Sequence, residues 1–489
     1  MTNGVLKKKK LLTLNFFVSL TSSKVLPLDN KNKKKVFHFV LCSLNRTFAP
    51  MKHQNPYIIY NTIDLVALKA RLCAKISCLL TIVFCLFTGC HDEVVPPYEP
   101  TPRAEAERTV IVYMAGDNSL GNSLEYNAIP VDTAEMAKGK SMIPENVNFI
   151  VFVDDLRHKP AIYELSRSRG MQLWKQYDEE LCTTDSLTML NVLREIEHYF
   201  PARHYGITFW SHASGWVPER TSTRMKTFGR DETNVSPTGK VEMEIPVLHD
   251  VLAHLPRFDY IFFDACFMQC IEVAYELRDV TDYMVGSPAE IPGPGAPYDK
   301  IIGALCTSDV KGIVRGYGSG YPGVYDGFFY SGVLLSCIDC SKLEELAEAT
   351  GHFLTPFYMN RTEQSPTARN FQAYCYDVWA SDRRHLTQFT CCFDMRTTMY
   401  NLLSEEDYAA WMELYDEAVP LYTYTDPPVG YTYPTWYAIF CDNPKLLTPR
   451  CYGGVSMFVP LNIYDGYGWN EDFRNTSWYK AAGWDKTGW

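Results

Sequence analysis

The chain has 489 residues, 46% hydrophobic and 21% charged, a balance that suits a globular protein and a length that exceeds one average domain. Its formal net charge of −11 supplies no broad basic surface, which argues against nucleic acid as a partner. Sixteen cysteines are scattered along the chain rather than set in a small disulfide framework, so no pairing follows from them.

Residues 1–50 carry two lysine runs, Lys7 to Lys10 and Lys33 to Lys35, without helical or strand period, and are read as lying outside the mature protein. Residues 51–89 have the layout of an export signal: a positive region with Lys69, Arg71 and Lys75, then an apolar run from Ile76 to Phe87. That run is short for a membrane span, which takes about 20 residues. Phe87-Thr88-Gly89-Cys90 resembles the lipobox of bacterial lipoproteins, with Cys90 expected as the acylated N-terminus and the membrane as a partner through the lipid. Residues 90–108 are Pro-rich and read as an extended tether.

From Thr109 short β-branched runs alternate with amphipathic stretches, the rhythm of a mostly parallel sheet with helices on its faces. Val110 to Met114 reads as a buried strand ending in Ala115-Gly116-Asp117-Asn118, whose polar side chains are placed to cap a helix from about Leu120. Val147 to Val153 is the next strand, with Ala161 to Leu165 as a hairpin partner. Asp185 to Phe200 has helical apolar spacing with a capping residue at its start. Tyr205 to Trp210 is a strand that delivers Ser211-His212-Ala213-Ser214-Gly215-Trp216, and a polar loop runs to about Lys240.

Pro246 to Leu255 reads as a helix with proline in its first turn. Tyr260 to Phe263 is an apolar strand running into Asp264-Ala265-Cys266-Phe267-Met268, and Gln269 to Arg278 continues as a helix. Tyr283 to Gly286 is another buried strand, followed by a four-proline loop to Tyr298. Residues 109–300 thus form one α/β unit. Residues 301–489 read as an α+β region that completes it or forms a second subdomain, with helices at Leu343 to Phe357 and Glu405 to Val419, an aromatic stretch from Tyr422 to Tyr437 and a late strand from Gly454 to Pro460.

Active residues of an open parallel sheet gather beyond the carboxyl ends of its strands. Two strands here end in reactive residues, His212 and, 54 positions later, Cys266. A thiol is a nucleophile once deprotonated, and an imidazole accepts its proton or pairs with the thiolate; a helix starting just after Cys266 would add to that. Alone, each residue reads more simply as a core thiol and a packed histidine. Cys337-Ile338-Asp339-Cys340 has metal-type spacing, but no second pair completes a zinc site.

Together these segments resemble the clostripain-like cysteine peptidases, a family with the caspase-type fold. The resemblance rests on Val110 to Leu120, Phe209 to Trp216 and Phe263 to Met268, continues through Glu272 to Arg278 and Tyr283 to Ser287, and extends loosely to Gly453 to Pro460 as a closing strand. It implies a caspase-like, mostly parallel sheet with helices on both faces, a peptide or protein substrate, His212 as general acid and base, and Cys266 as the residue that forms the thioester. Main-chain donors at Ala213 and Cys266 would hold the oxyanion. Ala213 stands where the family commonly has glycine, which narrows the backbone conformations available.

Asp264 resembles the family's pocket acid that prefers arginine or lysine before the cleaved bond; a helix cap is the plainer alternative. Glu290 is the nearest candidate for a second pocket acid. The resemblance makes no cofactor certain and implies calcium as one open to this chain, since some relatives require it. The competing expectation is an idle lipoprotein of the same fold that binds peptides or glycans, with Tyr422, Tyr424, Tyr431, Tyr433, Trp436 and Tyr437 as stacking surfaces. An esterase built on Ser214 is weaker, since that serine lacks a nucleophile elbow.

Overall fold

The computed structural model describes residues 101–122, 127–217, 227–234, 242–325, 328–330, 332–359, 373–374, 392–424, 439–440 and 452–487. The lysine-rich segment, the export signal, Cys90 and the aromatic residues Tyr431, Tyr433, Trp436 and Tyr437 lie outside them. Among the described residues no helix is long and apolar enough to cross a membrane.

A nine-stranded sheet organises the chain. Its parallel centre comprises β1 (Ala106–Gly116), β2 (Val147–Asp155), β5 (Ala202–Trp210), β6 (Phe258–Asp264) and β7 (Thr281–Gly286), in the order β2-β1-β5-β6-β7. Antiparallel strands close both flanks. β3 (His158–Ser166) and β4 (Gly170–Gln176) extend it beyond β2, and Leu334–Asp339 then Leu421–Tyr424 extend it beyond β7.

The continuous apolar runs are explained by burial on both faces. Along β1, Ile111, Tyr113 and Ala115 enter one core cluster while Val110, Val112 and Met114 enter the other. The first cluster is covered by helices Ser186–Tyr199, Ile245–Leu252, Ile271–Leu277 and Leu343–Met359, the second by Ala128–Gly139, Tyr298–Thr307 and Val310–Gly318. Helices therefore lie on both faces, as expected of a caspase-like α/β sheet. The C-terminal residues Phe458, Tyr464, Trp469, Phe473 and Trp478 join the first cluster, so the region after residue 301 shares its core with the sheet.

Several elements differ from the sequence reading. The helix expected near Leu120 begins at Ala128, and the Asn118 side chain serves its own loop, Oδ1 accepting from Leu120 N at 2.9 Å. The helix expected from Gln269 is reduced to Ile271–Leu277. The preceding backbone is committed elsewhere: Phe267 N donates to Ala289 O and Gln269 N to Ser287 O, both at 3.0 Å, while Gln269 O accepts from Ser456 N at 3.0 Å. The late strand contracts to Ser456–Met457, paired with Cys392–Asp394.

Helices Tyr298–Thr307 and Val310–Gly318 and the strand Leu334–Asp339 went unseen in the sequence. Three glycines within Val310–Gly318 depress helix propensity by roughly 1 kcal/mol each, and packing overrides it. A Cβ on Gly316 would come within 2.9 Å of Ile301 Cγ2, so the close approach of these two helices requires glycine there.

Candidate active site

Adjacent strands β5 and β6 are parallel and pair Trp210 with Asp264 at their carboxyl ends. His212 and Cys266 each stand two residues past that pair, on strands about 4.8 Å apart. The loops that carry them touch: a Cβ on Gly215 would meet Phe267 O at 3.2 Å and Cys270 Sγ at 3.4 Å.

Gly215 has φ +85° and Phe267 has φ +60°. A side-chain-bearing residue in this region costs about 1–2 kcal/mol and persists where its surroundings hold it. Here the Phe267 N–H donates to Ala289 O at 3.0 Å, and the Ile291 N–H donates to Cys266 Sγ at 3.5 Å. A donor aimed at sulfur favours thiolate over thiol. The helix N-terminus expected to assist is absent at this point, since Ile271–Leu277 starts beyond an intervening turn and is capped by Cys270. Gly215→Ala is expected to lower stability by about 1–2 kcal/mol through its forced φ alone, seen as a lower urea midpoint at unchanged slope. The contact with Phe267 O should lower turnover as well.

His212 is held by its own surroundings. Ser119 Oγ lies 2.9 Å from His212 Nε2, and Gly229 N donates to His212 O at 2.9 Å. Ser119 was missed in the sequence, although it follows directly on Asn118. Asn118 Nδ2 donates to Ala115 O and to Arg230 O, both at 2.9 Å, which ties the end of β1 to segment 227–234. Ser211 Oγ donates to Ala115 O at 2.7 Å and locks β5 to the same point.

Ala213 forms an isolated bridge with Phe228 made by its neighbours, Ser214 N to Thr227 O and Gly229 N to His212 O, so its own N–H is not spent on the bridge. Ala213 is not among the non-glycine residues of positive φ. The alanine therefore strains nothing, and the concern over a missing glycine moves to Gly215, which is glycine. Ser214 is buried, and its N–H is engaged with Thr227.

Asp264 is 2% exposed and accepts from Ala296 N at 3.1 Å, Tyr298 OH at 3.1 Å and Tyr317 OH at 3.2 Å. It does not cap the following helix, whose N-cap is Cys270. Burial raises its pKa to about 6, against the lowering effect of those donors. Strand alternation stops at Asp264, so Cys266 packs against the first cluster while Asp264 faces tyrosines of the second.

Two further acids on Ala128–Gly139 lie close to Asp264. Asp132 accepts from Trp210 Nε1 at 2.7 Å and has its pKa raised well above the usual carboxylate range, first by burial and then by Asp264. Glu135 accepts from Tyr298 N at 3.0 Å and is raised to about 7, chiefly by burial. Their i, i+3 spacing was visible in the sequence, but their place beside Asp264 was not. Glu290 is partly buried between Ala289 and Ile291, the two residues that contact the cysteine turn.

The remaining candidates resolve simply. All seven described cysteines, Cys337 and Cys340 included, are free thiols, and burial pushes Cys337 to about 11 and Cys340 higher. Tyr422, one of the expected stacking residues, instead accepts from Arg396 Nη1 at 2.5 Å. Behind the histidine loop, Asp117, Asp154 and Asp231 bring one carboxylate oxygen each within 4.8 Å of one another.

Comparison with known proteins agrees with this architecture. Residues 112–489 match the model of the clostripain family, peptidase C11. The chain is 26% identical to clostripain of Hathewaya histolytica over 222 residues, 40% of this chain and 41% of that protein, so the match spans less than half the relative's length. Among solved structures, it is similar to a secreted C11 cysteine protease from Bacteroides thetaiotaomicron in complex with an irreversible peptide inhibitor, at TM-score 0.62 and 30% identity, covering 78% of this chain and 99% of that one. It is also similar to an inactive zymogen C11 protease from Parabacteroides distasonis, at TM-score 0.60, 25% identity and the same coverage.

Proposed function

The chain belongs to the clostripain family of cysteine peptidases, and from that membership we propose that it hydrolyses peptide bonds through a Cys266–His212 dyad, preferentially after arginine or lysine. The observation that carries this reading is the register of β5 and β6, which brings His212 and Cys266 to equivalent positions beyond one strand edge.

With Nε2 engaged by Ser119, Nδ1 of His212 takes the Cys266 proton. The thiolate attacks the carbonyl carbon and forms an S–C bond, and the developing oxyanion is met by the N–H groups of Ala213 and Cys266. As the C–N bond breaks, His212 returns the proton to the leaving amine. Water then hydrolyses the thioester, releasing the acid and restoring the thiol. Asp264, once ionised, supplies the negative charge that selects a basic side chain, and Glu290 borders the cysteine turn as a second, weaker contact.

A fluorogenic peptide series varying the residue before the cleaved bond tests the reading. Turnover confined to arginine and lysine supports it, and no turnover by any peptide would identify a binding protein of the same fold.

Export and lipid anchoring rest on the basic region, the apolar run and Thr88-Gly89-Cys90. In a bacterial host, Cys90→Ser is expected to move the protein from the detergent-soluble membrane fraction to the aqueous one. Mass spectrometry of the parent should find acylated Cys90, and an aqueous parent with another N-terminus would refute the anchor.

A further inference from the structure

A cleft of about 290 Å³ adjoins the two site loops, and the dyad makes no use of it. Its walls include Trp216 from the end of the histidine loop, Glu244 at the N-cap of helix Ile245–Leu252, Glu272 and Glu276 on helix Ile271–Leu277, and Asp472 on helix Trp469–Arg474. Four carboxyl groups thus line one space, and among the described residues no basic side chain lines it with them.

Glu272 is the most buried of the four. It is 2% exposed, its Oε1 accepts from Phe458 N at 2.7 Å, and its Oε2 has no hydrogen-bond partner. Glu244, Glu276 and Asp472 are half-buried. Glu276 stands four residues after Glu272 on the same helix face, and its Oε2 accepts from the Ser477 hydroxyl. A buried carboxyl oxygen without a partner is costly, and three further acids around it exclude another anion as that partner.

We propose that this cleft binds an organic cation, with an alkylammonium or guanidinium group against Glu272 Oε2 and its carbon stem along Trp216. The proposal stands on these residues alone and holds whether or not Cys266 is the nucleophile.

The Trp216 indole is fixed as a wall, with its ring centroid 5.2 Å from that of Phe458 and 5.7 Å from that of Phe473. An aromatic face of this kind attracts a cation and packs against its stem. The volume lies at the small end of the range for organic ligands, roughly 300–1,000 Å³. A bare metal ion fits less well: among the described residues only Asp117, Asp154 and Asp231 bring three ligand atoms within 4.8 Å of one another, so the acids of this cleft are spread too widely to share one ion.

The charge on Glu272 follows its occupant. Burial raises its carboxyl to about 8, so it is neutral at pH 7 in the empty cleft. The titratable groups around it are Glu244, Glu276, Asp472 and the Cys270 thiol. A cation against Oε2 favours the ionised form, and binding at pH 7 therefore releases a proton.

The test is titration calorimetry on full-chain Cys266→Ala, which leaves peptides intact, with spermidine in one arm and an arginine-containing peptide amide in the other. Two buffers of different ionisation enthalpy are used at pH 7. At least one arm is expected to bind with proton release: spermidine alone would make the ligand a free polyamine, the peptide alone a basic side chain. Glu272→Gln, whose Oε1 still accepts from Phe458 N, should weaken binding about tenfold or more and abolish the proton release. Glu276→Gln provides the second variant should Glu272→Gln fail to fold. Asp264 offers a basic group another place to bind, so the titration is repeated with Asp264→Asn, where binding at the cleft should persist. No binding in either arm at millimolar ligand would overturn the proposal. So would binding without proton release, binding lost in Asp264→Asn, or equal binding by folded Glu272→Gln or Glu276→Gln.

Discussion

Cys266→Ala is expected to reduce kcat/KM on an arginine-ended fluorogenic peptide by on the order of ten-thousandfold or more, with KM changed far less than kcat. Removing the nucleophile of an acyl-transfer pair abolishes the covalent route and leaves whatever the oxyanion donors and binding supply by themselves. His212→Ala should cost a similar amount, and the double variant little more than either single, because the two groups act in one step.

A thiol-directed peptidyl probe should label the parent once, at Cys266, and leave Cys266→Ala unlabelled. Stability should barely change, since Cys266 is only partly buried and the Ile291 N contact to its sulfur is long, at 3.5 Å. Undiminished turnover in folded Cys266→Ala would remove the nucleophile assignment and point to another residue at the strand edge.

Asp264→Asn is expected to lower kcat/KM for arginine substrates by roughly 2–5 kcal/mol, the cost of removing one partner of a buried charge pair, or about thirty-fold to five-thousand-fold. The loss should fall toward the lower end, because Ala296 N, Tyr298 OH and Tyr317 OH already stabilise the carboxylate. Alanine-ended substrates should lose little. Equal losses for both substrates would instead make Asp264 a brace for residues 295–298.

The pH dependence has a definite sign. Burial raises the Asp264 carboxyl from 3.8 to about 6, so the acid is neutral below that value and charged above it. Arginine selectivity should grow as pH rises through about 6, and the Asn variant should lack that rise. A raised carboxyl pKa also means that the stability Asp264 contributes when protonated is lost as pH climbs through about 6. A cationic peptide inhibitor offsets that loss, so its stabilising effect should be larger at pH 7 than at pH 5.

Much of the sheet was legible because its central strands are buried on both faces and read as unbroken apolar runs bounded by polar turns. The same runs pointed to His212 and Cys266, each just past a strand end, and the motif set around them identified the family. Local spacing also carried the Asp185 to Phe200 helix, whose N-cap is Asp185 accepting from Thr188 N at 3.1 Å.

What stayed hidden depends on which strands are neighbours. Apolar period reports that a residue is buried but not what lies beside it. The pairing of Trp210 with Asp264 therefore decides that the histidine and cysteine loops meet, and the crossing of Tyr298–Thr307 with Val310–Gly318 decides that a glycine-rich stretch is helical. Likewise Asp117, Asp154 and Asp231 are ordinary loop and strand-end acids in the chain. Their oxygens come within 4.8 Å of one another only because β1 and β2 are adjacent and segment 227–234 hydrogen-bonds back to the residue that follows β1.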